Sequence, residues 1–330
     1  MRPFLPALIL SSLMRILLVK TSSLGDVVHN LPVASDLHRA FPEAQIDWCA
    51  EEGFAGIPRL HPAVSEVIPV ALRRWRKALA RISTWREMAA FRRRLQQENY
   101  DAILDTQGLV KSALITRMAR GIRSGYTAEV AREALAARFY DRHFLIPPNA
   151  HAVERNRWLA AAAFDYPVDL PLDYGIRAPA KSFPWLDEAP YVVLLTATSR
   201  DDKLWNESRW IALAQEFRQQ GLTPIFPAGN AIERQRAARL AEATAAIAAP
   251  PLDLHELAAL LGRARLVVGV DTGLVHLATA LDTPTIALYI ATDPALTGVH
   301  GPGFARNLGG VGQSPTVAQV LNVARQIPVP

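Results

Sequence analysis

The sequence predicts an α/β protein made of two doubly wound parallel-sheet domains, and three observations predict it. Short apolar runs rich in branched residues, such as 191–196 (YVVLLT) and 266–270 (LVVGV), read as strands buried on both faces, the mark of a parallel sheet. These runs alternate with amphipathic helical patterns, and hairpin signals are missing between them. One strand–turn–helix unit with a glycine in its turn occurs in each half: 15–20 followed by 21–29, and 266–270 followed by Asp271-Thr272-Gly273. A chain of 330 residues, half of them apolar, is more than one core fills and fits two domains of about 150 residues.

In chain order, 15–20 (RILLVK) is the first strand and 25–41 the first helix, with Val27, Val28, Leu31, Ala34 and Leu37 inward. Pro32 is expected in an irregular first turn, since a Pro inside a helix costs about 3 kcal/mol. Residues 45–50 and 64–70 are the next strands, and Cys49 in the former is a small core residue. Between them Glu51-Glu52-Gly53-Phe54 occupies a strand's C-terminal edge, where open α/β sheets bind ligands. Residues 71–95 then carry nine cations (Arg73, Arg74, Arg76, Lys77, Arg81, Arg86, Arg92, Arg93 and Arg94) among Trp75 and Trp85, against one acid, Glu87. Tryptophan among arginine suits an anionic ligand or lipid headgroups.

Residues 100–105 form a further strand, and Thr106-Gln107-Gly108-Leu109-Val110-Lys111-Ser112 opens the helix after it. Helical patterns follow at 129–140 and 153–164, and the proline-rich stretch 168–190 is the domain linker. The second half restarts at 191–196, followed by a polar loop over 197–205 and a helix for which Ser208 is the expected cap. Next come a strand at 223–226, a Gly229-Asn230 turn into a helix over 232–243, a short strand at 246–249 and a helix at 254–261. Residues 285–290 are the strand after the Asp271 unit, and Thr316 starts a last helix to 327.

The net charge of +5 favours an anionic partner without separating nucleic acid, phosphosugar and membrane surface. The single cysteine excludes an internal disulfide. Residues 1–13 are expected to be a dispensable extension: Arg15 interrupts their apolar run before the ~20 residues a membrane span needs, and no small-x-small cleavage site precedes it.

Asp26 is the sharpest chemical candidate. It lies in a glycine-marked loop after the first strand, where a carboxylate either caps the helix or takes a proton from a hydroxyl nucleophile. Thr198, Ser199 and Lys203 offer two hydroxyls and a cation suited to a departing diphosphate. The Asp271-Thr272-Gly273 turn adds the free amides and dipole of a helix N-terminus, with His276 one turn inside. Glu233 follows the Gly229 turn and suits a ribose hydroxyl. Neither zinc spacing nor a P-loop nor GxGxxG is present, so no metal is expected.

Five segments in order, Ser22-Ser23-Leu24-Gly25-Asp26-Val27-Val28-His29, Arg73-Arg74-Trp75-Arg76-Lys77, Gln107-Gly108-Leu109-Val110-Lys111-Ser112, Arg200-Asp201-Asp202-Lys203 and Asp271-Thr272-Gly273-Leu274-Val275-His276, resemble the lipopolysaccharide heptosyltransferases, type I more than type II. The resemblance implies a GT-B fold of two Rossmann-like domains facing a cleft: an acceptor domain over 14–178 and a nucleotide-sugar domain over 179–330, its last helix (316–327) returning to the first. It implies inverting transfer of L-glycero-D-manno-heptose from ADP-heptose to the first Kdo of Kdo2-lipid A, with no cofactor, no metal and no nucleic acid. The location it implies is the cytoplasm, peripheral on the inner membrane.

By residue, Asp26 resembles the base, and Lys203 assists departure of ADP. The resemblance implies that Thr198, Ser199, Lys203, Thr272 and Gly273 would hold the diphosphate and Glu233 the ribose, with Asp271 near the adenosine and His276 beside them. It implies that Ser22, Ser23, Gly25, Arg73, Arg74, Arg76, Lys77, Gln107 and Lys111 would meet the acceptor. The family pattern has Thr at 199, where Ser keeps the hydroxyl. Three rivals share parts of this pattern: an ADP-heptose transferase with another acceptor, a sugar-nucleotide epimerase of the same fold, and a basic nucleic-acid or membrane module.

Overall fold

A computed structural model describes residues 14–327, so the expected extension at 1–13 lies outside the described residues. The chain divides into two compact units at Gly175/Ile176, inside the proline-rich stretch.

In the first unit the strands are β1 (Arg15–Val19), β2 (Gln45–Glu51), β3 (Val64–Val70), β4 (Asn99–Asp105), β5 (Arg120–Tyr126) and β6 (Arg142–Phe144). They form one parallel sheet in the order β3-β2-β1-β4-β5-β6. The strands of the second unit are β7 (Tyr191–Leu195), β8 (Thr223–Phe226), β9 (Ile247–Ala248), β10 (Leu266–Val270), β11 (Thr285–Tyr289) and β12 (Ala305–Gly309). Their order, β12-β11-β10-β7-β8-β9, is the same pattern: the first strand lies beside the fourth, and the chain winds outward in both directions. That order leaves a switch point at the C-terminal ends of the first and fourth strands, which is where such sheets receive ligands.

The expected strands are present, and β5, β6 and β12 join them. The first helical pattern is two helices, α1 (Leu24–Val28) and α2 (Leu31–Ala40), because Pro32 occupies a helix start, where its missing N–H costs nothing. The basic stretch is likewise two helices, α3 (Leu72–Lys77) and α4 (Ile82–Leu95). After α5 (Val110–Met118), the expected helix at 129–140 shrinks to a 3-10 turn, Ala134–Phe139, and α6 (Ala152–Phe164) follows.

The second unit carries α7 (Glu207–Gln219), α8 (Ala231–Thr244), α9 (Leu254–Gly262), α10 (Gly273–Ala280) and α11 (Val317–Ala324). Asn206, not Ser208, caps α7, its side chain accepting from the Ser208 N–H. The last helix packs on α7 and β11 of its own unit, with Val320 wholly buried in that core.

Each unit has its own apolar core. In the first, Leu17, Val19, Ile103 and Ile68 of the sheet pack under Trp75, Phe91 and Leu95. Val192, Leu194, Val268 and Ile286 of the second pack against Trp210, Phe217 and Leu240. Rigid sheets of this kind hold the loops at their strand ends in place.

Candidate active site

At the switch point of the first unit, β1 delivers Lys20–Asp26 and β4 delivers Asp105–Lys111, and the two loops are tied together. Gln107 Oε1 accepts from the Thr21 and Ser22 backbone amides at 2.8 and 3.2 Å, and Gln107 Nε2 donates to the Ser22 carbonyl. Lys111 Nζ donates to Ser22 Oγ at 2.8 Å. The β4 loop is itself held by buried Asp105, which accepts from the amides of Gln107 and Gly108 and from Tyr140 Oη. Gly108 sits at φ +68°, a backbone state that other residues reach only with strain.

Asp26 is the third residue of α1, and one of its oxygens caps the helix by accepting from the Ser23 N–H at 2.9 Å. The other oxygen accepts from Arg132 at 2.5 Å, and Arg132 reaches the capping oxygen too, at 3.3 Å. Burial alone would raise the carboxyl's pKa, but Lys20 and Arg132, with the Arg132 and Ser23 hydrogen bonds, hold it below the ordinary carboxylate range. Lys20 lies wholly buried beneath it, donating to the Thr106 carbonyl at 2.7 Å and to Asn156 Oδ1 at 3.2 Å. Burial pulls the ammonium down to about 8 against the attraction of Asp26.

Of the expected acceptor residues, Ser22, Ser23, Gly25, Gln107 and Lys111 gather around Asp26. Arg73, Arg74 and Lys77 line a separate cavity of about 530 Å³ with Glu51, Glu52 and Phe54. The two regions are within electrostatic reach: burial first, then Arg73, lowers the pKa of Lys111, while Glu51 and Asp26 raise it. Arg74 is committed to Glu52 and Glu87 at 3.0 and 2.7 Å, and Arg73 stacks on Phe54. Arg76 stands exposed on α3, outside the lining of that cavity.

The second unit repeats the placement with different chemistry. The loop after β7 and the turn after β10 meet directly: Thr198 Oγ1 donates to the Asp271 carbonyl at 2.9 Å, and Lys203 Nζ lies 2.6 Å from Asp271 Oδ2. Thr198, Ser199, Gly229, Glu233 and Thr272 share a cavity of about 270 Å³ with apolar walls from Leu195, Leu252, Leu257 and Leu274. Hydroxyls, a helix start and an apolar slot together suit a nucleotide with its phosphates at α10. Glu233 forms a reciprocal cap with Asn230, leaving its carboxylate at the cavity wall. Asp271 also accepts from Thr292 Oγ1 at 2.7 Å, so its carboxylate belongs to the Lys203 turn. His276 is buried in α10.

Arg132, Lys20 and Asn156 were not singled out by the sequence. Lys20 had a signal, a cation closing a wholly buried strand; Arg132 had none, because its partner lies 106 positions earlier. Among the described residues no group of His, Cys, Asp or Glu has metal-site geometry.

The model of glycosyltransferase family 9 (heptosyltransferase) matches residues 88–320. Lipopolysaccharide heptosyltransferase 1 of Salmonella typhimurium is 49% identical over 293 residues, 87% of this chain and 92% of that protein. Its Pseudomonas aeruginosa counterpart is 47% identical, with 87% and 82% covered. The solved E. coli heptosyltransferase WaaC with ADP superposes with a TM-score of 0.88 at 43% identity, over 95% of this chain and 99% of that one. E. coli ADP-heptose lps heptosyltransferase II shares the fold at 22% identity, with a TM-score of 0.75 over 94% and 98%. The fold is the GT-B fold expected from the motifs, and the chain belongs to glycosyltransferase family 9, the heptosyltransferases.

Proposed function

We propose that the protein transfers L-glycero-D-manno-heptose from ADP-heptose to the first Kdo of Kdo2-lipid A, as a type I lipopolysaccharide heptosyltransferase peripheral on the inner membrane. One observation carries the reading: the switch point of one unit holds an ionised carboxylate, and that of the other holds a cation and hydroxyls beside a helix start. These are the two ends of a displacement at an anomeric carbon. The names of the relatives at 47–49% identity, and ADP in a solved relative, agree with it.

In the step itself, the acceptor oxygen forms a bond to C1 of the heptose while the bond from C1 to the β-phosphate oxygen breaks. The electron pair leaves with ADP, where Lys203 and the first amides of α10 meet the new charge, drawing Lys203 from Asp271. The acceptor proton passes to Asp26. A carboxylate held this acidic is a weak base, which fits an attacking oxygen that turns acidic only once its bond to an oxocarbenium-like carbon has formed.

The test is ADP release from ADP-heptose with three additions: no acceptor, a Kdo-bearing acceptor, and an acceptor already carrying the first heptose. Release with the Kdo acceptor alone is expected. Release only with the heptosylated acceptor would reassign the protein to a later transfer, and donor consumption without any acceptor would point to an isomerase.

A further inference from the structure

The basic stretch holds an apolar feature that neither catalysis nor the core uses. Helix α4 turns Thr84, Phe91 and Leu95 into the core, with Met88 packed beside them. At 3.6 residues per turn, Ile82, Arg86, Ala89 and Arg93 fall on the opposite face. At its start, large apolar side chains stand in the open: Ile82 is 71% exposed, Trp85 57% and, in the turn before the helix, Leu79 49%. The turn is built rather than slack. Trp85 Nε1 donates to the Leu79 carbonyl at 2.8 Å, and Thr84 Oγ1 donates to the Ala78 carbonyl at 2.8 Å. The indole N–H is thus satisfied inside the protein, and the exposed ring offers its surroundings apolar surface. The same bond ties the Trp85 ring to the backbone of Leu79.

Cations surround this tip. Arg76, Lys77, Arg81 and Arg86 are all exposed, and among the described residues none of them pairs with a carboxylate. Glu87, the one acid of the stretch, is taken by Arg74 and by the Trp75 indole N–H. A fixed apolar tip ringed by uncompensated cations complements an anionic bilayer surface: the side chains enter the boundary of headgroups and acyl chains while the cations meet lipid phosphates. Among the described residues no helix is long and apolar enough to cross a membrane, so such contact would lie in the interface plane.

We propose that Leu79, Ile82 and Trp85, with Arg76, Lys77, Arg81 and Arg86, form the surface by which this protein docks on an anionic lipid bilayer. The inference rests on the reading above for an acceptor that is itself embedded in lipid. It goes beyond that reading in assigning the contact to the protein's own tip, apart from the acceptor's sugar.

The test uses the full chain and vesicles without any acceptor, made of phosphatidylglycerol or of phosphatidylcholine alone. The wild-type chain is expected to sediment with the anionic vesicles and only weakly with the neutral ones. The combined Leu79→Ser, Ile82→Ser and Trp85→Ser variant should lose at least tenfold in partition. Arg86→Gln should lose about fivefold, the share of one cation near such a surface. Turnover on a deacylated, water-soluble Kdo acceptor should be unchanged in both variants, and matching melting curves would exclude misfolding.

Equal sedimentation of the triple variant, or no sedimentation of the wild type, overturns the proposal. So does a concentration-dependent dimer abolished by the triple variant without vesicle binding, which would give the tip to a second copy. Vesicle binding with no turnover on any Kdo acceptor would strike the enzymatic reading and leave the docking surface standing.

Discussion

Asp26 is held by a helix cap and an ion pair at once. Its cap to Ser23 fixes the start of α1, and the second oxygen is held by Arg132. Asp26→Ala should lower turnover by about 10²–10⁴, the range for a lost general base, while ADP-heptose still binds. Normal turnover in that variant would place the base elsewhere. Arg132 sets the acidity of the same group: with the guanidinium 2.5 Å away, the carboxyl stays ionised throughout the ordinary pH range. Arg132→Met removes one of the two cations opposing the burial of Asp26, so its pKa rises. The acid limb of kcat/KM should move to higher pH in that variant, and an unmoved limb would mean that Arg132 does not govern the base. Lys203 is the counterpart in the second unit. Lys203→Ala should weaken ADP binding and slow turnover together, since the cation meets the diphosphate in the bound donor and meets it more strongly as negative charge develops on departure; an unchanged ADP affinity would remove it from the donor site.

Among the elements, those with a dense local signal were legible. β1, β2, β4, β7 and β10 are runs of Ile, Leu and Val between turn residues, and burial on both faces leaves such runs few alternatives. β5 and β12 escaped because they are edge-side strands in which arginine, asparagine and glycine replace the apolar run. Pairing with a neighbour already in place makes them strands, a fact about the sheet and not about their residues. Thr198, Ser199 and Lys203 stand close in sequence, as do Thr272 and Gly273, and the fold joins the two loops through Asp271. Arg132 was not legible, since only folding brings it to Asp26.

Local packing also creates a titration the sequence did not suggest. His61 follows a short 3-10 turn, with Nδ1 accepting from the Ala63 N–H at 3.1 Å and Nε2 2.9 Å from Ser35 Oγ. Burial pushes its pKa down to about 4, from 6.5 in the unfolded chain. Between those values the unfolded chain holds a proton that the folded chain does not. The stability held by neutral His61 is complete above pH 6.5 and falls as pH drops through the window, by about 3 kcal/mol at pH 4. Urea unfolding of the wild type and His61→Gln at pH 7 and pH 4.5 should show the variant losing less on acidification; equal losses would assign the acid sensitivity to other groups.

At the scale of the whole molecule, the same strand order occurs twice, and each copy buries its own core beneath its own switch point. What differs is what the loops carry. Those of the first unit bring Asp26, Lys20 and Arg132 together, whereas those of the second bring Thr198, Lys203 and Asp271 against an apolar slot. A nucleotide without its sugar needs only the second set. ADP at about 100 times its Kd should therefore stabilise the protein by about 2.7 kcal/mol. In hydrogen exchange the gain should concentrate in 197–203, 228–233 and the first turn of α10, and the amides of 21–26 should exchange as before. Protection confined to 21–26 and 105–111 would put the nucleotide in the first unit. That outcome would reverse the assignment of donor and acceptor on which the direction of the displacement depends.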